Sequence, residues 1–257
     1  MNDSLYIAAT GMQAQQQNID AIANNLANVS TAGFKKGRVN FQEMMHVDPN
    51  QQGAARAGLN GPLGLGISVG SVAKDFAPGA LAQTNAPMDL AINGAGFIEV
   101  TLADGSRGYT RGGALQISKD NYLATADGYV LKAAIHVPAN AASVKIGADG
   151  KVSAQMSANG PLTEIGQIDL ASFANPSALN ALAGGIYAPT EASGDANIGK
   201  PGQQGMGVLA QGALENSNVT LVDEMVTLMI AQRAYEMSSK VIQASDEIMG
   251  LTNNLRR

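Results

Sequence analysis

The sequence predicts an α+β protein. N- and C-terminal helices form a coiled-coil-like α domain, an all-β domain is inserted between them, and an extended Gly/Gln-rich arm follows the first helix. Residues 5–29 and 222–255 each carry apolar residues in alternating steps of three and four, the heptad pattern of a helix that packs on another helix. Residues 88–170 alternate apolar and polar residues between Asp-Gly and Asn-Gly turns, which predicts β-hairpins. Residues 46–70 are rich in Gly, Gln and Asn and show no helical period.

The first helix is predicted from its apolar seam, which ends before a stop-and-turn signal at residues 30–33. A seam of two residues in seven is narrower than the apolar stripe of an ordinary core helix, which favours pairing with another helix. The seam positions are Leu5, Ala8, Met12, Gln15, Ile19, Ile22, Leu26 and Val29, of which only Gln15 is polar.

The C-terminal helix carries a matching seam, so we expect the two chain ends to pack together. Its predicted N-cap is Asn216, Ser217 or Asn218. The alternative is that two amphipathic helices pack separately on a globular core. The seam runs through Val222, Val226, Ile230, Ala234, Met237, Val241, Ala244, Ile248, Leu251 and Leu255, with extra apolar residues at Met225 and Met229.

These patterns divide the chain into three parts. Residues 1–34 and 216–257 form the terminal helical domain, and residues 35–87 and 190–215 form the arm and a connecting region. Residues 88–189 form an all-β outer domain, with about eight short strands in a sandwich or open barrel.

Composition excludes several classes of function. A chain of 257 residues can bury a full core, and without Cys it forms neither disulfides nor thiolate metal sites. The net charge of −5 argues against nucleic acid as the main partner. Without a run of eighteen apolar residues, membrane insertion is not expected. The N-terminus lacks the basic and apolar segments of a secretory signal peptide.

One motif is typical of a serine hydrolase. The nucleophile-elbow pattern G-x-S-x-G matches residues 66–70, with Ser68 as the nucleophile, and it requires a strand before the serine and a helix after it. Residues 72–79 have no helical period, and only His46 and His136 are available as a base. The hydrolase is therefore the weakest alternative, and we predict no catalytic, cofactor-binding or metal-binding residue.

A short basic stretch follows the first helix. Lys35, Lys36 and Arg38 lie within four positions, a spacing that suits contact with phosphate. No wider basic surface accompanies them, so we expect a solvated turn.

Both chain ends resemble the bacterial flagellar rod and hook proteins. Residues 22–35 resemble the N-terminal signature of that family, and residues 211–219 and 232–236 resemble segments that open and continue its last helix. Residues 89–97 and 109–111 look like the start of its shared β domain, although Arg-Gly-Gly-Ala-Leu then stands where the family often has Arg-Asp-Gly-x-Phe. The resemblance covers essentially the whole chain. Its motif residues are Asn24, Asn25, Leu26, Ala27, Asn28, Thr31, Gly33, Phe34, Gln232, Arg233, Ala234 and Tyr235.

The resemblance implies a structural subunit that self-assembles into a stiff helical tube, a drive shaft that transmits torque from motor to hook. Hook subunits usually carry a further β domain, for which this chain has no room. The stretch at 46–70 resembles the arm of distal-rod subunits, so a distal-rod subunit is expected, with the arm stiffening the shaft. The alternatives are a proximal-rod or short hook-like subunit of the same family and, outside it, a coiled-coil adaptor.

The partners implied by the resemblance are copies of the chain itself, proximal-rod and hook subunits, the surrounding ring proteins of the basal body, and the type III export apparatus. No cofactor, nucleic acid or membrane insertion is implied. The expected location is the basal-body rod crossing the periplasm, reached without a cleaved signal peptide. The inter-subunit helix seam expected for polymerisation comprises Leu5, Met12, Ile19, Ile22, Leu26, Val29, Ile230, Met237, Val241, Ile248, Leu251 and Leu255.

Overall fold

Residues 2–46, 63–156 and 160–254 are described by the computed structural model. Within them, long helices lie near both chain ends and the part between them is rich in β-structure, which confirms the predicted α+β class. Leu255, the last residue of the predicted seam, lies outside the described residues.

The chain groups into two compact units, whose bounds differ from the three predicted parts. The helical unit comprises residues 1–27, 37–73 and 220–257. The β unit comprises residues 28–36 and 74–219. The stretch that follows the first helix belongs to the β unit because its backbone hydrogen-bonds with segments of that unit.

The helices are α1, Asn2–Ala27, and α2, Leu221–Asn254. The end of α1 agrees with the predicted stop, because a turn follows in which Thr31 N donates to Asn28 O at 3.1 Å. Val29 therefore lies beyond the helix, in this turn, and is not part of the α1 seam.

The predicted arm is in part a β-ribbon. Strands β1, Gly37–His46, and β2, Leu63–Lys74, form a two-stranded sheet within the helical unit. Residues 63–70, predicted to belong to a loop or extended arm, are strand, consistent with the alternating apolar residues of their sequence. The part of the predicted arm at 47–62 lies outside the described residues.

The β unit is built from short strands joined by tight turns, as predicted from the Asp-Gly and Asn-Gly pairs. The strands are β3 Leu81–Gln83, β4 Asp89–Asn93, β5 Phe97–Thr101, β6 Arg107–Thr110, β7 Gly112–Ile117, β8 Leu123–Thr125, β9 Val130–Leu131, β10 Ser143–Ile146, β11 Lys151–Gln155, β12 Leu162–Gln167, β13 Leu170–Ser172, β14 Asn180–Ala181, β15 Ile186–Ala188, β16 Asn197–Gly199, β17 Val208–Gln211 and β18 Ala213–Glu215.

The main sheet has the order β14-β15-β6-β5-β9-β8-β7-β4-β17, and β13 pairs with both β5 and β16. Strands β10, β11 and β12 form a second, antiparallel sheet, and β18 pairs with β3. Residues 190–215, predicted to be a connecting region, instead supply β16, β17 and β18. Their backbone completes the sheets, with Leu209 opposite Ile92 in β17 and β4.

Two buried clusters form the core of the β unit. The larger is aliphatic and includes Leu90, Leu123, Val152 and Leu170, all fully buried. The smaller is aromatic, and its rings meet edge to face, the arrangement that the ring quadrupole favours. Its members include Phe97, Tyr109, Phe173 and Tyr187, with Phe76 packed against them.

The departure from the family motif at Gly112-Gly113 has a structural reason. Gly112 lies opposite Ala91 in the β4–β7 pair and has a φ of +100°. A Cβ at this position would lie 2.6 Å from the Leu90 carbonyl oxygen. Glycine therefore permits β7 to pair closely with β4 directly after Arg111.

The burial of Tyr187 predicts a specific loss of stability at high pH. Burial raises the pKa of Tyr187 from 10.0 to about 12. Between these values the folded chain retains a proton that the unfolded chain has lost, so the free energy of unfolding falls as the pH rises. From about pH 9 to about pH 11 the fall attributable to Tyr187 is about 1 kcal/mol.

Chemical denaturation of wild type and Tyr187→Phe at both pH values measures this difference. Phenylalanine keeps the ring that packs against Phe76 and Phe97 and removes the titrating group. The variant should lose less stability than wild type on going to the higher pH. Equal losses in the two proteins would contradict the assignment.

Candidate interaction surface

The contact between α1 and α2 combines small, polar and larger apolar residues. Ala8 and Ile22 of α1 and Ala231 of α2 are buried. A Cβ built on Gly11 would lie 3.8 Å from the Ser238 hydroxyl oxygen, which shows how closely the two helices approach. The chain ends pack on each other within the helical unit, as expected.

Asn25 is the polar centre of this unit. Its side-chain oxygen accepts a hydrogen bond from Gly37 N at 2.8 Å, and its amide donates to Gly37 O at 2.9 Å and to the Glu224 carboxylate at 3.2 Å. Asn25 and Glu224 are both 1% exposed. A single amide thus fixes the start of β1 against α1 and links both to α2. Its sequence position between Asn24 and Leu26 suggested only a polar helix flank.

The predicted seam of α2 is not the face that contacts α1. The buried or half-buried row of α2 is Glu224, Leu228, Ala231, Ser238, Ile242, Ser245 and Met249. With 3.6 residues per turn, the predicted seam lies on a well-separated side of the helix. Its larger side chains are between 46% and 69% exposed: Val222, Val226, Ile230, Met237, Val241, Ile248 and Leu251. Met225 and Met229 extend this exposed apolar face.

The α1 seam divides into two classes. Ile22 is 4% exposed and belongs to the interior of the helical unit. Leu5, Met12, Ile19 and Leu26 are half-buried, so each keeps apolar surface in contact with solvent. Ile22 is therefore important to the fold, whereas the other four have surface available for further contacts.

In the β unit, Glu215 is the centre of a buried ionic cluster. One of its oxygens, Oε1, accepts hydrogen bonds from Lys35 Nζ at 2.7 Å and from Gly79 N at 2.8 Å. The other, Oε2, accepts from Arg111 Nε at 3.1 Å. Arg111 also donates to Gly96 O at 2.7 Å. Segments far apart in the sequence thus converge on one carboxylate.

Lys35 corrects the expectation of a solvated basic turn. It is 0% exposed, and besides Glu215 it donates to Ala77 O at 2.8 Å. Burial lowers the pKa of Lys35 from 10.5, while the hydrogen bond from its ammonium to Glu215 acts in the opposite direction. Charge counting over neighbouring residues did not reveal this pairing, because the partner is 180 positions away.

Asn218 joins three segments of the β unit instead of capping α2. Its side-chain oxygen accepts from Lys36 N at 2.8 Å, and its amide donates to Asp75 O at 2.9 Å and to Ala77 O at 3.2 Å. The predicted cap is wrong by a few residues: α2 begins at Leu221, and Glu224 N donates to Thr220 O.

The remaining motif residues serve the turn and the surface of α2. Thr31 donates to the Asn28 side chain at 3.2 Å, and Gly33 N donates to Glu215 O at 2.7 Å. The ring of Phe34 lies 4.6 Å from the Lys74 ammonium. On α2, Ala234 is half-buried, Arg233 forms an exposed ion pair with Glu236, and the others are exposed. The exposed motif residues are Asn24, Ala27, Thr31, Gln232, Arg233 and Tyr235.

The structure gives no support to the hydrolase alternative. Ser68 lies inside β2, whereas a nucleophile elbow requires a turn from strand to helix. In the described parts of the chain, no group of three or more His, Asp or Glu residues is placed to hold a metal ion. Among the same residues, no helix combines the length and the apolar character needed to span a bilayer.

Comparison with known families gives three matches along the chain. Residues 5–35 match the model described as flagella basal body rod protein. Residues 91–154 match the flagellar hook protein FlgE/F/G D1 domain, and residues 210–255 match the flagellar basal body rod FlgEFG protein C-terminal model. The first match contains Asn25 and Lys35, the second contains Arg111, and the third contains Glu215 and Glu224.

Curated relatives extend the similarity to the full length. The flagellar basal-body rod protein FlgG of Borreliella burgdorferi is 40% identical, with 100% of each chain covered. The protein of the same name in Bacillus subtilis is 39% identical, covering 99% of each chain. This chain belongs to the flagellar basal-body rod protein family. A second Bacillus subtilis member, the flagellar hook-basal body complex protein FlhP, is 27% identical over 98% of this chain.

Membership of the rod family accounts for the absence of a predicted active site, since its members are structural proteins of the flagellum. In a structural protein, the surfaces that pack against other subunits are the functional sites. In the described part of the helical unit, the apolar face of α2 is left exposed.

The ionic cluster predicts a large loss of stability on removal of its carboxylate. Glu215→Gln keeps the side-chain shape but leaves Lys35 and Arg111 buried without a compensating charge. Breaking a buried ionic group in this way should lower the free energy of unfolding by about 3 kcal/mol. Chemical denaturation followed by circular dichroism measures the loss.

Glu164→Gln is the matched control. Glu164 pairs with Lys151 at 3.9 Å, and both side chains are more than half exposed. Its loss should change stability by less than about 1 kcal/mol. Equal effects of the two substitutions would show that burial of the Glu215 cluster carries no special energy.

Proposed function

We propose that this chain is a distal-rod subunit, which polymerises through its terminal helices into a stiff tubular shaft passing torque from motor to hook. The observation that carries the proposal is the exposed apolar face of α2. Monomeric soluble proteins rarely leave so continuous an apolar row in water, and such rows mark protein interfaces.

The energetic reason is burial of this row between subunits. Each Val, Leu, Ile or Met side chain transferred from water into a contact contributes about 1.5–3 kcal/mol. A contact along α2 would bury several of these side chains in every subunit. The row includes Val222, Ile230, Met237, Ile248 and Leu251. The sum of their contributions is of the same order as the cost of association, so the whole row is needed to offset that cost.

The two-sided character of α2 supports the same conclusion. One row of α2 holds α1 through Glu224 and Ala231, and the apolar row lies on another side. A helix with two such sides can hold its own chain and a neighbouring copy at the same time. The half-buried Leu5, Met12 and Ile19 of α1 offer further apolar surface to neighbours.

The distal position is favoured over the alternatives by the comparison within one organism. The chain is 39% identical to FlgG of Bacillus subtilis but 27% identical to FlhP of the same organism.

We propose proximal-rod and hook subunits, ring proteins and the type III export apparatus as its other partners. We place it in the rod crossing the periplasm, with the β1–β2 ribbon and residues 47–62 stiffening the shaft.

Changing the far end of the apolar row tests the proposal. Ile248→Ser combined with Leu251→Ser removes two exposed apolar side chains, 55% and 65% exposed, without touching the α1 contact. The concentration needed for polymerisation, measured by sedimentation, should rise at least tenfold, because about 3 kcal/mol or more of burial is lost per subunit. Circular dichroism should be unchanged.

Ile117→Ser combined with Leu162→Ser is the control, since these β-unit side chains are 47% and 53% exposed. It should raise the required concentration far less. Unchanged polymerisation of the α2 variant would contradict the proposed role of the row. A wild-type chain that stops at a small oligomer would favour the coiled-coil adaptor.

A further inference from the structure

An apolar groove lies between α1 and the β-ribbon of the helical unit. The groove is open to solvent and has a volume of about 530 Å³. Its lining residues are Ile7, Phe41, Gln42, Glu43, Gly66 and Ile67. Ile7, Phe41 and Ile67 are each 40% to 44% exposed. A second cleft of about 260 Å³ lies on the other side of Ile67. The ribbon thus packs only partly on α1 and leaves apolar walls open.

The order of residues in β1 explains why this groove is apolar with an acidic edge. Successive side chains of a strand alternate between its faces, so Val39, Phe41 and Glu43 share one face. Val39 is buried, whereas Phe41 and Glu43 are exposed. This face of β1 is therefore buried at Val39, exposed and apolar at Phe41, and acidic at Glu43. α1 adds no basic residue, since Lys35 is the first in the chain.

The middle of α2 has the complementary character. Ile230, Met237 and Val241 are each more than half exposed. Arg233 and Lys240 lie beside Met237 on the helix surface, because residues three and four positions apart are neighbours. Residues 230–241 therefore present an apolar ridge bordered by Arg233 and Lys240, with Glu236 in an exposed ion pair with Arg233. The flexible Met237 side chain suits an irregular groove.

We propose that the groove between α1 and the ribbon of one copy receives residues 230–241 of α2 from a second copy. This inference rests on the proposed polymerisation and names the surface that the α2 row meets. Glu43 of the groove then faces Arg233 or Lys240 of the neighbour.

Two physical arguments select a second copy as the occupant. The groove and the ridge are different surfaces of one chain, so their contact is heterologous and repeats without closing, as a rod requires. The ridge supplies the apolar side chains and positive charge that an apolar groove with an acidic edge lacks. A contact between two identical surfaces would instead stop at a dimer.

Disulfide trapping tests the contact directly, because the natural chain has no Cys. One set of chains carries Phe41→Cys or Ile67→Cys, and a second set carries Ile230→Cys, Met237→Cys or Val241→Cys. Each pair is mixed on separate chains, polymerised, oxidised and analysed on a denaturing gel. At least one pair should give tenfold more linked dimer than the control, since a disulfide forms only when the Cα atoms come within about 7 Å.

The control pairs Ile117→Cys with Met237→Cys, because Ile117 lies in the β unit and is similarly exposed. All substituted positions are exposed, and circular dichroism checks that each chain folds. Rods that form without a dominant groove–ridge dimer would overturn this inference and leave polymerisation intact. A wild-type chain that forms no rods would overturn the proposed function and this inference together.

Charge reversal provides a second readout. Glu43→Lys should raise the concentration required for polymerisation at least threefold, and adding Lys240→Glu or Arg233→Glu to the same chain should restore it. Glu164→Lys in the β unit is the matched control and should have little effect. No restoration by either second change would contradict the proposed charge pairing.

Discussion

The Glu215 carboxylate is the interaction on which the order of the β unit depends. It binds Lys35 from the stretch after α1, Gly79 from the stretch after the ribbon, and Arg111 at the start of β7. A buried ionic group contributes little net stability compared with an apolar core of the same volume, because desolvation offsets its attraction. Its effect is to specify which segments meet: any other pairing would leave a charge buried alone. Asn218 likewise joins distant segments of the β unit, through uncharged hydrogen bonds. Asn25 joins segments of the helical unit in the same way.

The sequence patterns predicted the elements well where the periodicity is local. The heptad steps located α1 and α2, and the Asp-Gly and Asn-Gly pairs located most hairpins, because both signals arise within a few residues. The ionic cluster was not predictable in the same way. Lys35 was expected in solvent, and Arg111 was noted only as part of a motif, because their shared partner lies 180 and 104 positions away. Strands β16–β18 were missed for a related reason: they are short and lie in a Gly-rich stretch, and pairing partners elsewhere in the sequence determine them.

The α2 seam shows how a correct pattern leads to an incorrect contact. A heptad row predicts that a helix packs on another helix, but it does not say which one. Within the chain, α1 packs against the row of α2 that contains Glu224, Ala231 and Ser238, where small residues permit the two helices to approach closely. The apolar row, the stronger signal in the sequence, stays exposed. The contact within the chain uses the less apolar face of α2, and the more apolar face, which we propose for contact with neighbouring copies, stays exposed.

The central claim is that this chain grows into an open-ended rod through terminal helices that are uncovered in the monomer. Negative-stain electron microscopy of the purified chain at rising concentration, with limited proteolysis of the same samples, tests it most directly. The account predicts straight tubes of increasing length and an α2 that is cleaved in the monomer and protected in the tube. A small oligomer of fixed size, with α2 protected at every concentration, would contradict it.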